Sequence, residues 1–168
     1  MKIGNVSQEP QTPSLPPTGA IENLSLTATT ENWFEYPVRA QPHHTDYGGI
    51  VWHGSYIAWL EEARVECLGS IGINFSELVA LGCDMPVVDL SLRYHRPIQM
   101  GMTAVVRARM AEIEGVRINW DYKIQSTDGQ TLFATARVTL VVVDRDKGKI
   151  MRQLPPAMKE ALARLSAT

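Results

Sequence analysis

Residues 43–64 read HHTDYGGIVWHGSYIAWLEEAR. A carboxylate, Asp46, is followed by two glycines, Gly48 and Gly49, and then by the expected start of a helix near His53. Glycine lets the backbone approach closely and adopt unusual φ. The first N–H groups of a helix have no intrahelical partners. They point outward and can polarise a carbonyl or hold a developing oxyanion. A carboxylate on the loop leading in can attack a carbonyl or take a proton from water. A nucleophile or base beside an oxyanion hole is the minimum equipment for acyl transfer. Taken alone, though, an aspartate in such a loop is commonly only a turn or cap residue.

Other polar residues in the stretch carry weaker signals. His43, His44, Asp46 and His53 are ligand types, but they form no helical H-x-x-x-H pair, and no metal is expected. Arg64 falls on the apolar face of the helix, between Leu60 and Leu68. An unpaired buried guanidinium is costly, so Glu61 and Arg64 are expected as a structural ion pair near a subunit interface. Trp52, Tyr56 and Trp59 read first as packing residues. Arg93, Arg96, Arg107, Arg109 and Arg117 read as solvated strand positions, any of which could meet a phosphate.

The helix that must position this chemistry spans roughly His53 to Gly69. At 100° per residue, Tyr56, Ile57, Trp59, Leu60, Ala63, Cys67 and Leu68 share one face, and Glu61, Glu62 and Glu66 the other. A first strand is expected from Trp33 to Ala40, with Pro37 arguing for an edge or a bulge. A polar loop follows from Gln41 to Gly49. A short helix is expected around Phe75–Leu81, with Cys83 in a turn beside Gly82. Period-two alternation marks strands over 88–95 and 116–125, more loosely over 103–112, with a long β-prone run from Leu132 to Val143. Each strand is expected to have one buried face. Glu114-Gly115 and Asp128-Gly129 are hairpin signals. A last helix, Pro156 to Leu165, opens with proline, whose missing N–H costs nothing there. A single long apolar helix beside such a sheet must bury its face on it. An α+β domain follows, with a curved antiparallel sheet of about five strands around one central helix.

With 168 residues, the chain suits one domain. The formal net charge of −2 gives no reason to expect nucleic acid or a membrane surface as partner. Residues 1–31, rich in Pro, Ser and Thr, read as a disordered tail, and 32–168 as the domain. No secretory signal and no membrane span are evident. Cys67 and Cys83 form no disulfide framework and are expected reduced in the cytoplasm.

The central segment resembles the 4-hydroxybenzoyl-CoA thioesterase family, including its Tol-Pal-cluster branch. The pattern, approximately D-x-D-x-x-G-x-V-[YW]-[HYF]-x-x-Y with E-x-A-R on the helix, is matched by Asp46, Gly49, Val51, Trp52, His53, Tyr56, Glu61, Ala63 and Arg64. Gly72, the stretch PVVDLSLRYHRPIQMG and the two later strands follow in the family's order, so the likeness covers roughly 34–143. His44 replaces the first acidic residue of D-x-D. The resemblance implies a hot-dog fold and hydrolysis of an acyl-CoA with an aromatic or short-chain acyl group. It makes Asp46 the catalytic nucleophile or general base. His53 supplies the backbone N–H that polarises the carbonyl, and in one branch its side chain acts too. Gly49, Trp52 and Tyr56 are expected against substrate. No cofactor is implied, coenzyme A being part of the substrate. A homodimer or homotetramer is implied, with sites at the dimer interface. Two alternatives stay open: a hot-dog hydratase or dehydratase, and a non-catalytic acyl-CoA-binding module.

Overall fold

The computed structural model describes residues 33–166. The tail expected over 1–31 lies outside them. In chain order the elements are β1 (Phe34–Arg39), a 3-10 turn (Pro42–His44), α1 (His53–Ser70), α2 (Phe75–Ala80), β2 (Cys83–Asp84), β3 (Val87–Tyr94), β4 (Thr103–Glu114), β5 (Arg117–Gln125), β6 (Leu132–Val141), β7 (Val143–Asp144), β8 (Lys149–Ile150) and α3 (Pro156–Ser166). Five strands form one sheet in the order β1-β4-β5-β6-β3. Every neighbouring pair in it is antiparallel.

The hairpin signals hold. Gly115 (φ 65°) turns β4 into β5 and Gly129 (φ 73°) turns β5 into β6. Pro37 sits in β1, which pairs only with β4, so its missing N–H faces the sheet edge. The loose alternation of β4 reflects a register shift between Met110 and Ile113.

Helix α1 packs on the sheet through Tyr56, Trp59, Leu60, Ala63, Cys67 and Leu68, all buried. They meet the core-facing side chains Val106, Ala108, Trp120, Tyr122, Ile124 and Val138. This central helix on an antiparallel five-stranded sheet is the hot-dog arrangement. Ile57 is a correction. It lies 39% exposed, because its position, 100° from Tyr56, falls at the rim of the stripe.

Three further expectations fail for tertiary reasons. Cys83 is not in a turn but fully buried in β2, which pairs with β7. The run from Leu132 to Val143 is not one strand: β6 ends at Val141, and β7 leaves for a second sheet of order β2-β7-β8. Val142 is held between these paths, donating to Val116 O (3.1 Å) and accepting from Met151 N–H (2.9 Å). Finally, β3 has no buried face: only Leu92 packs partly against the core. The strand crosses from β2 to the far edge of the sheet, past β6, and most of it runs beyond the reach of α1.

Among the described residues, no helix is long and apolar enough to cross a membrane.

Candidate active site at the start of the central helix

Asp46 lies in a tight loop between the 3-10 turn and α1. Its Oδ1 accepts the N–H groups of Gly48 (2.8 Å) and Ile50 (3.2 Å), and its backbone N–H donates to Ile50 O (2.8 Å). One carboxylate oxygen therefore fixes the turn, while Oδ2 has no hydrogen-bond partner among the described residues. Gly49, at φ 75°, closes this turn: its N–H donates to Asp46 O (3.0 Å) and its carbonyl accepts from Met100 N–H (2.8 Å). The loop is thereby stitched to the segment after β3, where Ile50 bridges Gln99 and Val51 N–H donates to Ile98 O (2.9 Å).

The helix start is anchored by His44. Its carbonyl accepts both Ser55 Oγ–H (2.9 Å) and Trp52 N–H (3.1 Å). Its Nδ1 accepts Gln41 N–H (3.1 Å), and its ring lies edge-on to Trp59 at 5.2 Å. A histidine replaces the first acidic residue of the family pattern, and it serves the local turn. Trp52 is the N-cap residue of α1 and makes no side-chain cap. No acidic side chain occupies the first turn either. The positive end of α1 thus stays open.

These features meet in one cleft of about 640 Å³, lined by Asp46, Ile50, Val51, Trp52, His53, Tyr56, Tyr94, His95, Arg96 and Pro97. Tyr56 is buried, accepts Ile98 N–H at 3.3 Å and meets Tyr94 edge-to-face at 5.0 Å. Burial raises the pKa of both tyrosine hydroxyls; for Tyr56 the Ile98 N–H works against this. Both stay neutral near pH 7. Tyr94 Oη donates to His53 O at 3.5 Å.

Of the residues anticipated for the site, Asp46, His53, Trp52 and Tyr56 come together. Gly49 shapes the Asp46 turn and does not line the cleft. Glu61 and Arg64 pair outside the cleft lining, Arg64 turned toward the sheet and Glu61 exposed. The Arg64 guanidinium is buried, bonded to Glu61 and donating to Tyr122 Oη at 3.0 Å. Burial pushes the Tyr122 hydroxyl up to about 12, opposed by the Arg64 charge. Of the five arginines, Arg107 pairs with Glu35 and Arg109 with Asp121, while Arg96 alone lines the cleft.

Tyr94, His95 and Pro97 were not anticipated, and neither was Gly54. A methyl on Gly54 would strike the Trp52 ring, which folds over the first turn of α1. The only sequence signal for this was a glycine inside a predicted helix.

Comparison with known proteins agrees with this fold. The family model of the thioesterase-like superfamily matches residues 40–164. The chain belongs to that superfamily, and it is a thioester hydrolase with the hot-dog fold. It is 53% identical to sll0410 of Synechocystis, provisionally named an esterase, over 91% of this chain and 95% of that one. It is 30% identical to the acyl-CoA thioester hydrolase YbgC of Escherichia coli, over 74% of this chain and 92% of that one. Among solved structures, a DHNA-CoA thioesterase from Staphylococcus aureus superposes with a TM-score of 0.72 at 25% identity, covering 80% of this chain and 91% of that one.

Proposed function

We propose that this chain hydrolyses an acyl-CoA, with an aromatic or short-chain acyl group, to the free acid and coenzyme A. The observation that carries this is the free oxygen of Asp46 opening onto the same cleft as the uncapped N-terminus of α1. The thioester carbonyl oxygen lies toward the N–H groups of His53 and Gly54, where the helix end stabilises the charge that develops on it. Asp46 Oδ2 either takes a proton from an attacking water or itself attacks the carbonyl carbon. Collapse of the tetrahedral adduct breaks the C–S bond, and the sulfur leaves and is protonated as coenzyme A. If Asp46 attacks, the resulting anhydride is opened by water. Further support comes from the E. coli relative, an acyl-CoA thioester hydrolase, and the S. aureus one, a DHNA-CoA thioesterase.

The same reading includes a homodimer. β3 is an edge strand with Val88 49%, Leu90 38% and Tyr94 48% exposed. A long apolar edge invites pairing with another strand, and a second copy of β3 would close the cleft beside Tyr94. A reducing cytoplasm fits two free, buried cysteines, Cys67 among them with its thiol pushed up to about 12 by burial.

Coenzyme A release from benzoyl, hydroxybenzoyl and short-chain thioesters, for wild type beside Asp46→Asn, tests the reading. Asparagine keeps an Oδ1 for the Gly48 and Ile50 N–H groups, so the fold and thermal midpoint are expected to hold. Turnover is expected to fall about 10²–10⁴-fold. Unchanged turnover in Asp46→Asn would remove Asp46 from the chemistry. No release by wild type from any of these thioesters would overturn the acyl-CoA reading.

A further inference from the structure

Arg96 is the one cationic side chain of permanent charge in the cleft. In a strand, successive side chains point to opposite faces, yet both His95 and Arg96 line this cavity. The reason is the end of β3. The N–H groups of His95 (2.8 Å) and Arg96 (3.1 Å) both converge on the carbonyl of Phe133, so the chain bends there and alternation stops. The bend is held on its far side by Val51 N–H donating to Ile98 O and by Tyr56 Oη accepting Ile98 N–H. His95 is steadied by a 2.9 Å hydrogen bond between its Nε2 and Thr135 Oγ1. Arg96 is exposed and has no ion pair or side-chain hydrogen bond among the described residues; the same holds for Arg93 and Arg117, but only Arg96 lines the cleft. The only acidic residue lining the cleft is Asp46, and it lies more than 4.0 Å from any cationic nitrogen of Arg96.

A free guanidinium in a largely apolar cleft is a recognition element for an oxyanion. A coenzyme A thioester can supply one from its acyl group or from its phosphates. The pantetheine arm separates the sulfur from the first phosphate by about a dozen bonds, roughly 15 Å when extended. Arg96 shares the cleft with Asp46 and His53, so with the carbonyl at the start of α1 it faces the thioester end of the ligand, and the first phosphate lies roughly 15 Å further along the extended arm. We propose that Arg96 selects thioesters whose acyl group carries a carboxylate. The inference rests on the cleft being the thioester site proposed above.

The test compares glutaryl-CoA with pentanoyl-CoA, which share a five-carbon acyl group and differ in the terminal carboxylate. Binding is measured by calorimetry on the intact Asp46→Asn chain, in which turnover is expected to be slow, with coenzyme A release followed in parallel to confirm that the thioester stays intact, and on Asp46→Asn with Arg96→Met. Tighter binding of glutaryl-CoA, by about 10- to 100-fold, is expected for a charge-assisted bond, with the preference abolished by Arg96→Met. The same preference is expected for the two S-acylpantetheines, which have no phosphate. Equal affinity for the two CoA thioesters overturns the proposal, as does a preference that survives Arg96→Met. Loss of affinity for both CoA thioesters alike, without change for the acylpantetheines, assigns Arg96 to the carrier's phosphates and also overturns it. Wild-type turnover of both thioesters, measured alongside, judges the hydrolase reading separately, because the binding comparison does not depend on it.

Discussion

Gly54 shows how one hydrogen atom can shape the wall of a cleft. The Trp52 indole lies over the first turn of α1, where any Cβ on residue 54 would meet it. Trp52 is 46% exposed, so the ring can swing away without opening the core. Gly54→Ala is therefore expected to leave the thermal midpoint nearly unchanged, alanine being the better helix former. Its kcat/KM should fall by about 10- to 100-fold, since a misplacement of about 1 Å in a site wall is enough for that. Steady-state kinetics beside a thermal melt would check it. A stable variant with wild-type kinetics would show that Trp52 does not position substrate. At this scale the sequence was partly legible. Asp46 and the helix start at His53 follow from residue type and spacing and Tyr56 from the family resemblance, and the structure places all three on one cleft, while Gly54 is silent until Trp52 is seen above it.

At the scale of the element, α1 is held to the sheet by more than its apolar stripe. Arg64 reaches from the helix to Tyr122 on β5 while pairing with Glu61, whose side chain is 58% exposed. The two single substitutions should therefore be unequal. Arg64→Met replaces a buried charge with an apolar chain, leaves Glu61 in water and strands one hydroxyl, at a cost of about 1–3 kcal/mol. Glu61→Ala leaves a buried guanidinium facing only a neutral phenol; removing one partner of a fully buried pair costs about 3–5 kcal/mol, and the half-exposed Glu61 places this loss toward or below the lower end of that range. Urea denaturation of both variants would check the order. Arg64→Met proving the more damaging would mean that the arginine acts through packing rather than through its charge. Helix position alone located Arg64 on the wrong face for a charge. It could not name Tyr122, which lies 58 residues away.

At the scale of the molecule, the sheet order leaves β3 at an edge with one neighbour, β6. Val88, Leu90 and Tyr94 remain in contact with solvent there. If a second copy covers this edge, Leu90→Lys should convert a dimer to a monomer by multi-angle light scattering and lower turnover with it, because a charge on an edge strand opposes pairing. A wild-type monomer at micromolar concentration would sink the idea.

By itself the sequence determined the elements whose cause is local. The 3.6-residue stripe makes α1, glycines 115 and 129 make the hairpins, and Asp46 ahead of two glycines and a helix start makes the tight loop before α1. These depend on neighbours a few residues apart, so period and turn chemistry reveal them. Tertiary structure alone decided where β3 runs, where the β6 run breaks and which residues besides the motif meet Asp46. Strand pairing joins segments far apart in the chain, and no local pattern records the partner. The crossing of β3 to the sheet edge brings Tyr94, His95 and Arg96 against the start of α1. There one unremarkable strand end becomes the far wall of the site.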